Sequence, residues 1–327
     1  MSTKLPGSSP HQASADGRFH RQDSAFRDVI QKGGRFQPEL GRYHLIVAEA
    51  CPWAHRVLLV RKLKKMDTVP DLLPVTVVDS FLGPEGWCVG SREVERPFVK
   101  GSGNRIPGHE NKMFLREFYL DADPSYQKRP TVPVIWDNKL NTIVNNESSE
   151  IIRFIDTAFD EFLPGDVRGI TYYPEDLRAQ IDEFHSWVYP NINNGVYRAG
   201  FATTPEAYEE AVVPLFEALE RADKLIGDKK YFFGDRLTEA DIRLYTTIVR
   251  FDPVYHGHFK CNIQQIRGGR YPHLHRWLRT LYWTVPGFKE TTNFESIKAH
   301  YYSSHIQINP TSIVPLGPIP PIEPLDN

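Results

Sequence analysis

Tyr43-His44-Leu45-Ile46-Val47, then Ala48-Glu49-Ala50, then Cys51-Pro52-Trp53-Ala54-His55-Arg56: the reading of these fourteen residues decides the fold. The first five alternate and carry β-branched residues, which predicts a strand. From Pro52 to about Lys65 the spacing becomes helical, with Val57, Leu58 and Val60 apolar and Arg61, Lys62, Lys64 and Lys65 polar. Pro52 suits the first turn of a helix, where a missing N–H costs nothing. Cys51 therefore falls between a strand and a helix N-terminus. Backbone N–H groups and the helix dipole favour an anion at such a point, so a thiolate is stabilised and becomes nucleophilic near neutral pH. His55 and Arg56 add positive potential. The competing readings are an inert core cysteine and a zinc pair with His55, for which no second ligand cluster follows.

Working outward, Leu73 to Val78 predicts a second strand, and Ser80 to Lys128 reads as one long loop, with Gly83-Pro84, Gly101-Ser102-Gly103 and Pro107-Gly108. Thr131 to Trp136 reads as a strand with an internal proline. Asp137 to Asn141 is a turn, Thr142-Ile143-Val144 its partner strand, and Glu147 to Phe154 a helix. Beyond Pro174 the pattern is helical almost throughout: Leu177, Ile181, Phe184, His185 and Val188 share one spacing. Thr238-Glu239-Ala240-Asp241 starts a helix, with Thr238 as N-cap and Asp241 three residues on. The division that follows is an extended arm over 1–40, a β-α-β…β-β-α module over 41–160 with an inserted loop over 80–128, an all-helical domain over 170–310, and a proline-rich tail over 311–327.

Composition narrows the function. Lys+Arg at 39 against Asp+Glu at 41 shows no basic excess of the kind nucleic-acid binding requires. Hydrophobic content of 40% is that of a globular chain, and no apolar run is long enough to span a membrane. Three cysteines, Cys51, Cys88 and Cys261, are too few and scattered for a disulfide framework. Met1 to Gln12 lacks the apolar stretch of a secretory signal, so the expected location is the cytoplasm.

The chemistry centres on Cys51. Where dithiol oxidoreductases carry C-x-x-C, this chain has Cys51-Pro52-Trp53-Ala54, without a resolving cysteine. A monothiol cannot close its own disulfide, so an external thiol must complete the cycle. That requirement points to glutathione as co-substrate, with no metal. Pro133, at the mouth of a strand, makes sense if its peptide bond is cis and the strand end functional; otherwise it is an edge-strand proline. Asn145-Asn146-Glu147-Ser148-Ser149-Glu150 reads either as ordinary capping by Asn146 or Ser148, or as a cradle in which a Ser hydroxyl and N–H groups hold a carboxylate while Glu147 takes an ammonium.

Together these elements resemble the glutathione transferase superfamily, and more narrowly the glutathionyl-hydroquinone reductases of its Xi class. The resemblance is carried by Cys51 to Arg56, Gly86-Trp87, Thr131-Val132-Pro133-Val134, Asn145 to Ile152, Asn194-Gly195-Val196-Tyr197-Arg198-Ala199-Gly200-Phe201, Arg250-Phe251-Asp252 and His300-Tyr301-Tyr302. It spans about Asp16 to Pro318. It implies the glutathione transferase fold, an α/β thioredoxin-like N-terminal domain joined to an all-α C-terminal domain, and a homodimer. It also implies reduction of glutathionyl-hydroquinones to hydroquinones through a Cys51–glutathione mixed disulfide, which a second glutathione releases as oxidised glutathione. By analogy Trp87, Arg129, Val132, Pro133, Glu147 and Ser148 would bind glutathione. Tyr197 and Tyr301 would lie by the aromatic ring, one of them donating a proton, and Tyr255, His256 and His258 could line the same pocket. As residues alone, those tyrosines read equally well as packed aromatics. Cys88 beside Trp87 departs from the expected pattern, and an internal disulfide with Cys51 stays open. An omega-like thioltransferase or dehydroascorbate reductase, and a non-catalytic ligand-binding protein on this fold, are the rival readings.

Overall fold

The computed structural model describes residues 13–89 and 106–325, which fall into two compact units. Met1 to Gln12 and the glycines of Gly101-Ser102-Gly103 lie outside the described residues.

The first unit comprises Gln22–Ile170 and Thr291–His305. At its centre is β1 (Tyr43–Val47), every residue of which is buried. It pairs in parallel with β2 (Val75–Val77) and antiparallel with β3 (Val134–Asp137), which pairs antiparallel with β4 (Thr142–Asn145), in the order β2-β1-β3-β4. A central strand covered on both faces reads as a near-continuous apolar run. The one polar residue in β1, His44, is bonded through Nε2 to Thr76 Oγ1 of β2 at 2.7 Å. Burial pushes the His44 imidazole down to about 4, which keeps it neutral. The predicted turn at Asp137 to Asn141 forms because Asp137 accepts from Lys139 N and Leu140 N at 2.8 and 3.2 Å, and Asn141 takes up a φ of +49°.

Three helices belong to this α/β layer: α1 (Pro52–Leu63), α2 (Leu115–Ala122) and α3 (Ser148–Ala158). Helix α1 packs on α3, and α2 on β4. The existence of α2 corrects the reading of 80–128 as uninterrupted loop. Its start is fixed by Glu117, whose Oε2 accepts from Met113 N and Phe114 N at 2.8 and 2.7 Å. A later helix, α9 (Phe294–Ser304), belongs to this unit as well. Its residues lie within the span 170–310 that the sequence groups with the helical domain.

The second unit comprises, among the described residues, 13–21, Thr171–Glu290 and 306–325. Its helices are α4 (Arg178–Val188), α5 (Gly195–Gly200), α6 (Pro205–Ile226), α7 (Glu239–Ile248) and α8 (Pro272–Thr284). Single π-helical turns at Tyr189–Asn193 and Phe251–Tyr255 precede α5 and follow α7. The tail lies on this unit: Arg267 donates to the carbonyls of Pro320 and Pro321 at 3.2 and 2.5 Å, and Trp283 Nε1 to that of Glu323 at 2.9 Å.

The expected start of α7 at Thr238 is observed, and its Asp241 has a further task. Fully buried, it accepts from Trp277 Nε1 and Phe232 N through Oδ1 at 3.0 and 3.1 Å, and from Thr238 N through Oδ2 at 3.2 Å. Asp241→Ala leaves those donors buried without an acceptor, a loss on the order of 3 kcal/mol, and the expected fall in Tm is roughly 5–10 °C. Burial, outweighing these hydrogen bonds, pushes the Asp241 carboxyl up to about 6. Its folded value thus lies above the unfolded value of about 4. The associated stability is complete below about pH 4 and is lost as pH rises through about 6. Thermal melts of both proteins at pH 5 and pH 7 should therefore show a smaller gap at pH 7; a wider gap would contradict this reading.

Candidate active site

Cys51 is the N-cap of α1, with φ −75° and ψ 120°. Its N–H donates to Ala48 O at 3.0 Å, closing the turn out of β1, and its carbonyl accepts from His55 N at 2.9 Å, starting the helix. The β1–β3 register sets Ile46 opposite Val134, which brings the residues just before β3 to the cysteine. Cys51 Sγ lies 3.6 Å from Val132 O, and the Val132–Pro133 bond is cis. Cys51 is half-buried, whereas Cys88 and Cys261 are buried, and no disulfide joins any of the three. Burial pushes the Cys261 thiol far up.

The start of α3 lies alongside. Arg56 is almost fully buried, its guanidinium carbon 4.5 Å from the centre of the Trp53 ring and its Nη1 3.5 Å from Ser148 Oγ. His55 is turned elsewhere and bonds through Nε2 to Thr291 Oγ1 at 2.9 Å. The N-cap of α3 is Glu147, correcting the assignment of capping to Asn146 or Ser148. Glu147 Oε1 accepts from Ser149 N and Ser149 Oγ at 3.0 and 2.9 Å, and Oε2 from Ser24 Oγ at 3.0 Å. Asn146 instead ties strand to loop, donating to Tyr119 Oη at 3.0 Å and accepting from Phe26 N at 3.1 Å. Arg129 is held by Gln22, whose Oε1 accepts from Arg129 N at 3.2 Å.

Trp87 and Tyr301 come together around His300, all within the first unit. The rings of Trp87 and His300 stack at 5.0 Å and 27°, and Tyr301 meets His300 edge-on at 5.2 Å. His300 Nδ1 lies 2.8 Å from Ser80 O, so Nδ1 carries the proton. Ser80 Oγ and Ser296 Oγ are 2.8 Å apart, and Leu82 N donates to Ser304 Oγ at 3.0 Å. The segment leading to Trp87 is thus fastened to α9.

Tyr197, Tyr255 and His258 lie in the second unit, with His256 half-buried at the end of a π-helical turn. Tyr197 is buried against Tyr255 at 6.1 Å and Phe259 at 5.4 Å, and His258 against Phe259 at 5.3 Å. A Cβ at Gly200 would overlap the Phe259 ring, so this packing requires glycine. The sequence reading missed Arg21, whose guanidinium carbon lies 4.8 Å from the centre of the Tyr197 ring. Nothing in an otherwise polar arm marked it.

Comparison with known proteins bears on this arrangement. Residues 50–158 match the family model "Glutathione S-transferase, N-terminal domain" and residues 205–280 match "Glutathione S-transferase, C-terminal domain". The chain is 51% identical to glutathione S-transferase omega-like 2 of Schizosaccharomyces pombe, covering 95% of this chain and 96% of that one. The crystal structure of glutathione-S-transferase Xi from Phanerochaete chrysosporium is 53% identical, with a TM-score of 0.90 over 96% of this chain and 97% of that one. This chain is a Xi-class glutathione S-transferase. The transferase is also 46% identical to the glutathionyl-hydroquinone reductase YqjG of Escherichia coli, over 93% of this chain and 90% of YqjG. The glutathione-bound structure of YqjG matches with a TM-score of 0.81 over 94% and 96% of the two chains. In this transferase no described helix is long and apolar enough to cross a membrane, and no described group of three or more His, Cys, Asp or Glu is placed to hold a metal ion.

The difference in exposure among the thiols is directly testable in the transferase. Ellman's reagent should titrate one thiol rapidly in the folded protein, that of Cys51, and all three cysteines after denaturation. Rapid reaction of a second equivalent would place Cys88 or Cys261 within reach of solvent.

Proposed function

We propose that this transferase reduces glutathionyl-hydroquinones to hydroquinones at the expense of glutathione. The observation that carries the proposal is a half-buried monothiol at the N-cap of α1, facing the Val132 carbonyl, with Ala54 where a resolving cysteine would stand. The named activity of YqjG agrees with it. The thiolate of Cys51 attacks the sulfur of the substrate's glutathionyl group. The Cys51–glutathione disulfide forms as the carbon–sulfur bond breaks; that bond's electron pair stays on the ring carbon, which takes a proton. A second glutathione then attacks the mixed disulfide, regenerating the Cys51 thiolate and releasing oxidised glutathione.

Each proposed binding residue has a physical part. Val132, whose bond to buried Pro133 is cis, offers main-chain N–H and C=O to the peptide-like cysteinyl unit. The Ser148 hydroxyl and the first N–H groups of α3 suit the γ-glutamyl carboxylate. Glu147, with three donors already on its oxygens, keeps acceptor capacity for the ammonium group. Trp87 and Arg129 would complete the glutathione site, and Tyr255, His256 and His258 the aromatic pocket. Tyr301, in the same unit as Cys51, and Tyr197 are the proposed proton donors. The family resemblance extends the proposal to a homodimer in the cytoplasm.

The decisive experiment is intact-mass analysis after incubation with a glutathionyl-hydroquinone, with product analysis on the same sample. Glutathione on Cys51 together with free hydroquinone is expected, and Cys51→Ser should abolish both. A glutathionylated Cys51 with hydroquinone release no faster than the uncatalysed rate would favour the omega-like thioltransferase reading; the Schizosaccharomyces pombe relative is named omega-like. An unmodified protein would leave a non-catalytic binding module.

A further inference from the structure

Residues 13–21 belong to the second unit, and they reach Tyr197 there. Arg18 anchors them through paired bonds to Glu210, Nε to Oε2 at 2.9 Å and Nη2 to Oε1 at 2.7 Å. Gly17 sits at φ +80° against Thr204, and Thr203 N donates to Gly17 O at 3.1 Å. Phe19 is buried, its ring 5.3 Å from Phe201 and 6.5 Å from Tyr197. Arg21 comes next. Its Nε donates to Asn194 Oδ1 at 2.8 Å, and its guanidinium carbon stands 4.8 Å from the centre of the Tyr197 ring and 5.4 Å from that of Phe19.

Asn194 is the N-cap of α5, and its carbonyl accepts from Tyr197 N at 3.1 Å. The residue that orients the guanidinium is therefore one turn from the phenol beneath it. Among the groups against the Tyr197 ring are Phe19 and Arg21 from the N-terminal segment, Phe201 at the end of its own helix, Tyr255 from a π-helical turn and Phe259 beyond it. Of these, Arg21 and Tyr255 ionise. Against such apolar neighbours a fixed cation acts strongly on a ring, and more strongly on a phenolate than on a phenol.

We propose that Arg21 is a positioning residue for Tyr197, holding the ring in place and stabilising its phenolate so that the hydroxyl gives up its proton more readily. The inference rests on the proposed role of Tyr197 as proton donor. When the Tyr197 hydroxyl gives up its proton as the acid of the proposed reaction, the resulting phenolate, under the Arg21 charge, is reprotonated by water.

The test is a double-mutant cycle on kcat for a glutathionyl-hydroquinone, with the pH profile and the glutathione KM recorded for each protein. Arg21→Met should lower kcat about tenfold, the scale of a desolvated cation–π contact, and leave the KM for glutathione within about twofold. It should also move the alkaline limb of kcat to higher pH, because Tyr197 must be protonated to act and removing the cation raises its pKa. Arg21→Lys should restore much of the rate. In a Tyr197→Phe background, Arg21→Met should change nothing further. Equal loss in both backgrounds, or an unmoved pH limb, overturns the proposal while the reductase reading stands. If Tyr197→Phe itself keeps the full rate, Tyr197 is not the donor and the proposal falls with that assignment. Loss of glutathionylation at Cys51 would instead implicate the reductase reading itself.

Discussion

Cys51 Sγ and Val132 O stand 3.6 Å apart, and most of the first unit is arranged to keep them so. Each lies just beyond a strand end, Cys51 after β1 and Val132 before β3, and the two strands are locked by pairing Ile46 with Val134 and Leu45 with Ile135. A slip of one residue would turn every side chain of β1 to the opposite face, and a fully buried strand resists it. The irregularity in β3 falls between Ile135 and Trp136, on the pairing with β4. The pairing with β1 keeps its register.

The same constraint explains why α1 carries buried cations at both ends. Arg56 reaches Ser148 at the first residue of α3. Lys64, the C-cap of α1 and fully buried, reaches Asp160 Oδ1 at 3.0 Å and the carbonyl of Ile170 at 2.5 Å, with Asp156 of α3 at 4.0 Å. Burying a charge is costly without partners, and removing one partner from such a set is costlier still. The contacts run start to start and end to end, so α1 and α3 lie parallel with their N-termini side by side. One N-terminus carries the sulfur and the other carries Ser148. Two positive helix ends next to each other favour a ligand with an anionic end beside its thiol, the combination that the proposed glutathione site requires.

The legible parts of the sequence were those where a local rule coincides with its cause. Strand β1 matches its reading residue for residue, and α1 begins at Pro52 as expected, because alternation, proline and burial agree there. The turn at Asp137 and the start of α7 at Thr238 were readable because short polar side chains set them. Helix α2 was not, since Phe114 at its N-cap offers no oxygen and the capping falls to Glu117 from inside the helix. Glu147, which the sequence offers as a ligand group, is itself the cap of α3. The membership of α9 in the first unit depends on Ser80, Leu82 and Trp87 meeting His300, Ser296 and Ser304, contacts between residues more than two hundred positions apart. No local pattern encodes them.

The two halves of the proposed chemistry differ in legibility for the same reason. Recognition of a peptide-like ligand draws on backbone groups at strand and helix ends, and cysteine, proline and serine mark such places in any chain. Recognition of an aromatic ring draws on packing, and Tyr197 and Tyr255 follow or occupy π-helical turns, where the helical ladder is interrupted. Buried polar bonds beside them pin these turns. Asn193 Nδ2 donates to Thr247 Oγ1 and Arg243 O at 2.8 and 3.2 Å, and Asp252 accepts from Ile266 N at 2.8 Å. A ring set by an irregular turn, covered by Phe19 and overlain by Arg21 from a segment some 175 residues earlier, shows in the sequence only as an aromatic residue at helical spacing. That spacing says the side chain is buried; what it is buried against decides whether it can serve chemistry, and here that includes a cation.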